Sequence, residues 1–183
     1  MKLLFAVPLL LVSLLAAAGA AAPPPASAAT SPMQPLAFLV GRWRGSGYVE
    51  FVPGQRHTFQ ETERIEPELN GMLLLIEGRG TSSAGPGRRM VTHDALAVVS
   101  YDPAAGDFHW QAYNAAGPHL EYVDTHATVK DGVVRWGYSA GPMGQVRFTF
   151  RLDRQGRWVE RGEMSHDGKT WRRFFAMTLS RVG

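Results

Sequence analysis

From Arg42 onward the chain alternates apolar and polar residues with a period of two, broken at short intervals by Gly, Pro, Asn or Asp. That rhythm belongs to short antiparallel strands joined by tight turns. The segment 145–152 shows it without a break: Val146, Phe148, Phe150 and Leu152 fall on one face, Gln145, Arg147, Thr149 and Arg151 on the other. The same reading places strands at 42–52, 57–66, 72–80, 90–102, 107–114, 119–129, 133–139, 157–166 and 170–182, with 78–87 as a loop. Pro53-Gly54, Asn70-Gly71, Lys130-Asp131-Gly132, Arg154-Gln155-Gly156 and Asp167-Gly168 supply turns between them. The run Met72 to Ile76 is apolar on both faces, which predicts a strand covered on both sides, with the segment before Trp43 as the cover. A short helical turn over 33–40 precedes the strands. Ten strands with short connections predict an all-β fold, an antiparallel up-and-down barrel, because closure removes the exposed edges so many strands would present. A two-sheet sandwich has the same periodicity.

The first strand puts Trp43, Gly45, Gly47, Val49 and Phe51 on one face. Carried around the barrel, that parity gives an interior lined by Trp43, Phe51, Trp110, Tyr122, Phe148, Phe150, Trp158 and Met177. Such a lining suits a small apolar or amphipathic ligand, and equally a filled aromatic core.

Composition narrows the setting. The chain has 183 residues, 45% of them hydrophobic, and no Cys, which fits one domain and excludes disulfide scaffolds and Cys-ligated metal or haem sites. Lys2, the apolar run from Leu3 to Leu15 and the small-residue site Ala26-Ser27-Ala28 read as a secretory signal over 1–28, followed by a linker at 29–35 and the barrel domain at 36–183. The expected location is therefore periplasmic or secreted, with no stable membrane insertion after cleavage. A membrane-embedded barrel is disfavoured because Arg173 and Arg181 fall on the same predicted face as Trp171, Phe175, Met177 and Leu179. Without Lys2, 18 basic residues face 16 acidic ones, too even a balance to indicate a nucleic-acid partner.

Catalytic and metal signals are sparse. Phe59, Glu61, Glu63 and Ile65 share a face. If that face were inward, two like charges would enter the lumen and push one carboxyl's pKa up, as a general acid requires. The favoured reading is that the face is outward and solvated, or neutralised by Arg135 or Arg147. His126 with Asp124, beside Tyr122 and Leu120, is a second candidate pair. No P-loop occurs. No His-x-His occurs, and His119 and His126, seven apart, point to opposite faces, so no metal site and no cofactor is expected.

The opening Leu-Ala-Phe-Leu-Val-Gly-Arg-Trp-Arg-Gly-Ser-Gly at 36–47 resembles the start of calycin barrels, the lipocalin and fatty-acid-binding superfamily. It is most similar to nitrobindin-like haem barrels and to secreted bacterial domains of unknown function with the same Gly-x-Trp-x-Gly-x-Gly. Leu69-x-Gly71, Tyr101-Asp102 and Glu163-x-Ser165-x-Asp167-Gly168-Lys169-Thr170-Trp171 add to the likeness. The resemblance implies that Trp43 plugs one barrel end with Arg181 packed on it, and that Gly41, Gly45 and Gly47 are structural. Nitrobindin-like barrels also ligate haem through a His of the final strands; the segment 170–182 has none, and His166 falls at a hairpin tip, so haem binding is not expected. The functional expectation is an exported binding domain for a small hydrophobic ligand. The alternatives are an enzyme using Glu61, Glu63 or His126, and a periplasmic protein-interaction module.

Overall fold

A computed structural model describes residues 31–116 and 119–183. The signal segment at 1–28 lies outside the described residues. The ten strands are β1 (Gly41–Val49), β2 (His57–Glu68), β3 (Leu73–Ser83), β4 (Arg89–Asp102), β5 (Asp107–Ala116), β6 (His119–Lys130), β7 (Val133–Ser139), β8 (Gln145–Leu152), β9 (Trp158–Ser165) and β10 (Arg172–Val182). Each pairs antiparallel with its neighbours in sequence, and β1 also pairs with β10, which closes the barrel. This is the up-and-down architecture that alternation predicts.

Inward residues form one core. Trp43, Ile65, Leu74, Val99, Phe150 and Leu179 are almost fully buried. Aromatic rings cross the interior in contact: Trp43 meets Trp158 edge-on at 5.9 Å, Trp158 meets Phe150 at 5.3 Å, Phe150 meets Trp110 at 6.1 Å, and Trp110 stacks on Trp136 at 5.4 Å. These rings are packed on one another as core.

One end is sealed by the turn Gln34–Leu39, whose Leu36 and Leu39 are fully buried. Trp43 Nε1 donates to the Leu39 carbonyl at 2.7 Å. The Arg181 guanidinium stacks 4.2 Å from the Trp43 ring centroid and donates to the carbonyls of Phe38, at 2.8 Å, and Val40. Ring, cation and turn therefore lock together, and the glycines of the opening motif let them do so. Gly41 adopts φ +129°, where a side chain is strained, and at Gly45 a Cβ would overlap the Thr178 carbonyl oxygen of the adjoining strand.

Several expectations shift. β1 ends at Val49, so Phe51 lies in the following turn, 60% exposed and stacked on Phe174 at 5.4 Å; it does not line the interior. Tyr122 is also outside, because β6 pairs it with the outward Tyr113. β2 runs through Pro67, and β3 continues to Ser83 through part of the segment read as a loop. The outer side of β3 is only half covered, since the turn before Trp43 fills the barrel end instead; ahead of that turn Ser31 Oγ donates to the carbonyl of Gly71, just before β3, at 2.6 Å. In β10 a register shift between Arg173 and Phe175 breaks the alternation and buries Phe174.

Candidate functional site

The core requires Phe59 and Ile65 of β2 to face inward, and strand parity carries Glu61 and Glu63 in with them. Glu61 is 2% exposed and Glu63 9%. The outward, solvated reading of this face is thus overturned. Neutralisation by arginine fails as well: Arg135 is exposed, and Arg147 pairs on the outer face with Glu163 at 2.9 Å.

Register shows how the barrel accommodates two carboxyl groups. Glu61 is flanked across the sheet by Gly45 of β1 and Gly80 of β3, and Glu63 by Trp43 and Gly78. A Cβ on Gly78 would stand 2.8 Å from Glu63 Oε1, and one on Gly80 would stand 2.8 Å from Glu61 Oε2. The carboxyl groups occupy the space those glycines leave. Beyond Gly80 the next partner is His93 of β4, whose Cβ would lie 2.9 Å from a Cβ built on that glycine. One ligand atom from each of Glu61, Glu63 and His93 lies within 4.8 Å of the others.

The electrostatics of this cluster are unusual. Glu61 Oε1 and Glu63 Oε2 are buried without a hydrogen-bond partner. Among the described residues no ion pair includes Glu61, Glu63 or Glu160. Burial pushes the Glu61 pKa up to about 8, and burial together with the nearby Glu61 and Glu160 pushes Glu63 well above the usual carboxylate range. Glu160 of β9, whose Oε2 accepts from Trp158 Nε1 at 3.1 Å, is also raised to about 8 by burial and by Glu61. The His93 imidazole is lowered, chiefly by desolvation. Without a counter-cation, these groups favour their neutral forms.

Of the residues expected to line the interior, Trp43, Trp110, Phe150, Trp158 and Met177 are buried and Phe148 is half-buried. The pairing of His126 with Asp124 is not formed. His126 Nδ1 meets Asp107 at 2.7 Å, while Asp124 is taken by His109 and by the Tyr122 hydroxyl, which donates to it at 2.8 Å. Both histidines reach across to the neighbouring strand on the outer face, so His126 cannot act with Glu61 and Glu63. His93 and Glu160 escape a search confined to residues of one strand; they join the cluster only through pairing between strands.

Two open grooves reach the surface of the barrel. One, of about 810 Å³, runs over β1 to β6 beside Arg42, Arg44, Arg64, Arg79, Leu96 and Tyr113, and Trp43, Glu63 and Gly78 also line it. The other, of about 480 Å³, lies beside Arg88 and Arg89 at the turn between β3 and β4. The hairpin around Asp167 is structural: its carboxylate accepts from Ser165 Oγ at 2.9 Å and from the backbone N–H of Lys169 and Thr170 at 2.8 and 2.7 Å, and these bonds hold it below the usual carboxylate range.

No protein-family model and no curated protein matches the chain. Among solved structures it is similar to one described as the crystal structure of Rv2717c from M. tuberculosis, with a TM-score of 0.57 and 14% identity over 82% of this chain and 97% of that one. At that identity the likeness concerns the fold alone: the chain is a closed, ten-stranded antiparallel β-barrel with a structural counterpart of nearly the same extent.

Proposed function

We propose that this is an exported, calycin-type binding barrel that takes a small amphipathic molecule by its polar end at Glu61, Glu63 and His93. The apolar part of the ligand packs against Phe59 and Met177, which share the inner face with the cluster. The periplasm or the extracellular medium is its place of work, from the leader-like first residues. One observation carries the reading: two buried carboxyl groups on one strand face have oxygens without partners inside the barrel. An unpaired buried polar atom costs about 1–3 kcal/mol, a cost that a bound polar group removes. The test is native mass spectrometry of protein purified from its own envelope, with the wild type set beside an E61Q/E63Q variant. A co-purified mass held by the wild type and lost from the variant supports the reading. No retained mass, together with no saturable fluorescence from the amphipathic probe 8-anilinonaphthalene-1-sulfonate, refutes it.

An acid–base enzyme is the second reading, favoured by the elevated Glu61 and Glu160. It uses Glu61 and Glu63 without His126.

A further inference from the structure

The buried cluster poses a problem of charge. Glu61 and Glu63 stand side by side on one strand, each with an oxygen without a hydrogen-bond partner, and among the described residues no basic side chain pairs with either. Two devices can settle such a pair: protons, or a cation. The surroundings favour a cation. The third member, His93, offers a neutral nitrogen donor to the same point, and the three ligand atoms already lie within 4.8 Å of one another. All three residues sit on paired strands rather than loops, so their spacing is fixed by the sheet. Gly78 and Gly80 keep clear the space into which the carboxyl groups fold, and a methyl group at either would strike a carboxyl oxygen.

We propose that Glu61, Glu63 and His93 bind one divalent first-row transition cation, with zinc the best match. Two carboxylates and an imidazole supply oxygen and nitrogen donors suited to that class, with no thiolate to select a softer ion. Three protein ligands leave a tetrahedral cation one open position. The inference rests on reading the cluster as the barrel's ligand-binding centre, and gives that centre its chemistry: the polar end of the bound molecule takes the open position. The carboxyl protons are released as the cation enters.

The test is isothermal titration of chelator-stripped, full-length protein with Zn²⁺, paralleled by Co²⁺ absorption spectroscopy. One equivalent per chain is expected, with visible d–d bands from Co²⁺ and a rise in melting temperature. E63Q and H93N should each weaken Zn²⁺ binding by about 100-fold, whereas H126N, on the outer face, should not change it. Circular dichroism confirms folding, and should H93N fail to fold, E61Q, which keeps side-chain volume, serves in its place. Absence of saturable Zn²⁺ binding overturns the cation site, as does binding that survives E61Q and E63Q or is lost in H126N. Binding of 8-anilinonaphthalene-1-sulfonate to the stripped protein separates the two claims: if the probe binds and Zn²⁺ does not, the cation site alone falls.

Discussion

Replacing Glu61 by glutamine should stabilise the metal-free protein at alkaline pH and leave it nearly unchanged in acid. Glu61 is 2% exposed, and burial raises its pKa from an ordinary 4.5 to about 8. The folded state then binds this proton more tightly than the unfolded chain does. Below 4.5 both states are protonated and the full stability is present. Between 4.5 and about 8 the unfolded chain loses its proton while the folded one holds it, and stability falls as pH rises. At about 1.4 kcal/mol per pH unit the loss amounts to about 5 kcal/mol by the time Glu61 ionises in the fold. That is comparable with the whole stability of a small domain, about 5–15 kcal/mol.

The groups facing Glu61 act in the same direction. Glu63 on its own strand and Glu160 on β9 are raised too, while His93 on β4 is lowered and brings no compensating positive charge. Glutamine keeps the shape and cannot ionise. Urea unfolding followed by tryptophan fluorescence, with chelator present, should show wild-type stability declining from 4.5 to about 8 and the E61Q curve declining less. Above that range the variant should be the more stable by up to about 5 kcal/mol. A flat wild-type profile, or an E61Q variant less stable than the wild type in alkali, would refute the buried, uncompensated carboxyl.

Three further outcomes follow from the packing. Arg181→Ala removes the stack on Trp43 and the bonds to the carbonyls of the sealing turn, and should lower stability by about 1–3 kcal/mol, read from the urea midpoint. Gly45→Ala forces a methyl group onto the Thr178 carbonyl and should cost about 3 kcal/mol or more; a measured loss below about 1 kcal/mol would mean that β1 and β10 are not so closely apposed. Asp167→Asn should flatten the acid limb of the stability profile, because a carboxylate held below its ordinary value contributes stability above that value and loses it as pH falls; thermal melts across the acid range check this.

The barrel was legible because its determinants are local. Alternation along 145–152 and the turn residues at 102–106, 130–132 and 167–168 fix strands within a residue or two of those observed. The sealing pair Trp43 and Arg181 follows from resemblance, and the fold brings the two together. The misplacements have physical causes. Phe51 continues the parity of β1 only if the strand continues, and Arg172 instead holds the chain in a turn there by donating to the Glu50 and Phe51 carbonyls at 2.8 Å. Phe174 is buried because a strand irregularity, which no period-two pattern encodes, resets the faces of β10.

The inner cluster was missed for a different reason, and its signal was present. A search for same-strand ligands tests spacing along the chain, whereas a barrel assembles sites across it. Glu61 and Gly80 stand symmetrically about the Asn70-Gly71 turn, whereas the pairs nearest the next turn, Thr81 with Val91 and Ser83 with Arg89, are centred on Pro86, and a register shift between Gly80 and Thr81 brings His93 opposite Gly80. Folding the sequence at the first turn places Gly80 beside Glu61; the irregularity in the β3–β4 pairing, which spacing does not encode, then sets His93 beyond it. The direction of the face follows from the same register, since Ile65 pairs with Ile76 and Ile76 with Ala97, all apolar and all buried. A carboxyl group beside such a row on the same strand face is buried with it. Weighing each strand alone treats the solvated arrangement as the cheaper one; weighing three strands in register leaves burial as the arrangement that keeps the core intact, and two glycines aligned with two glutamates are the mark it leaves in the sequence.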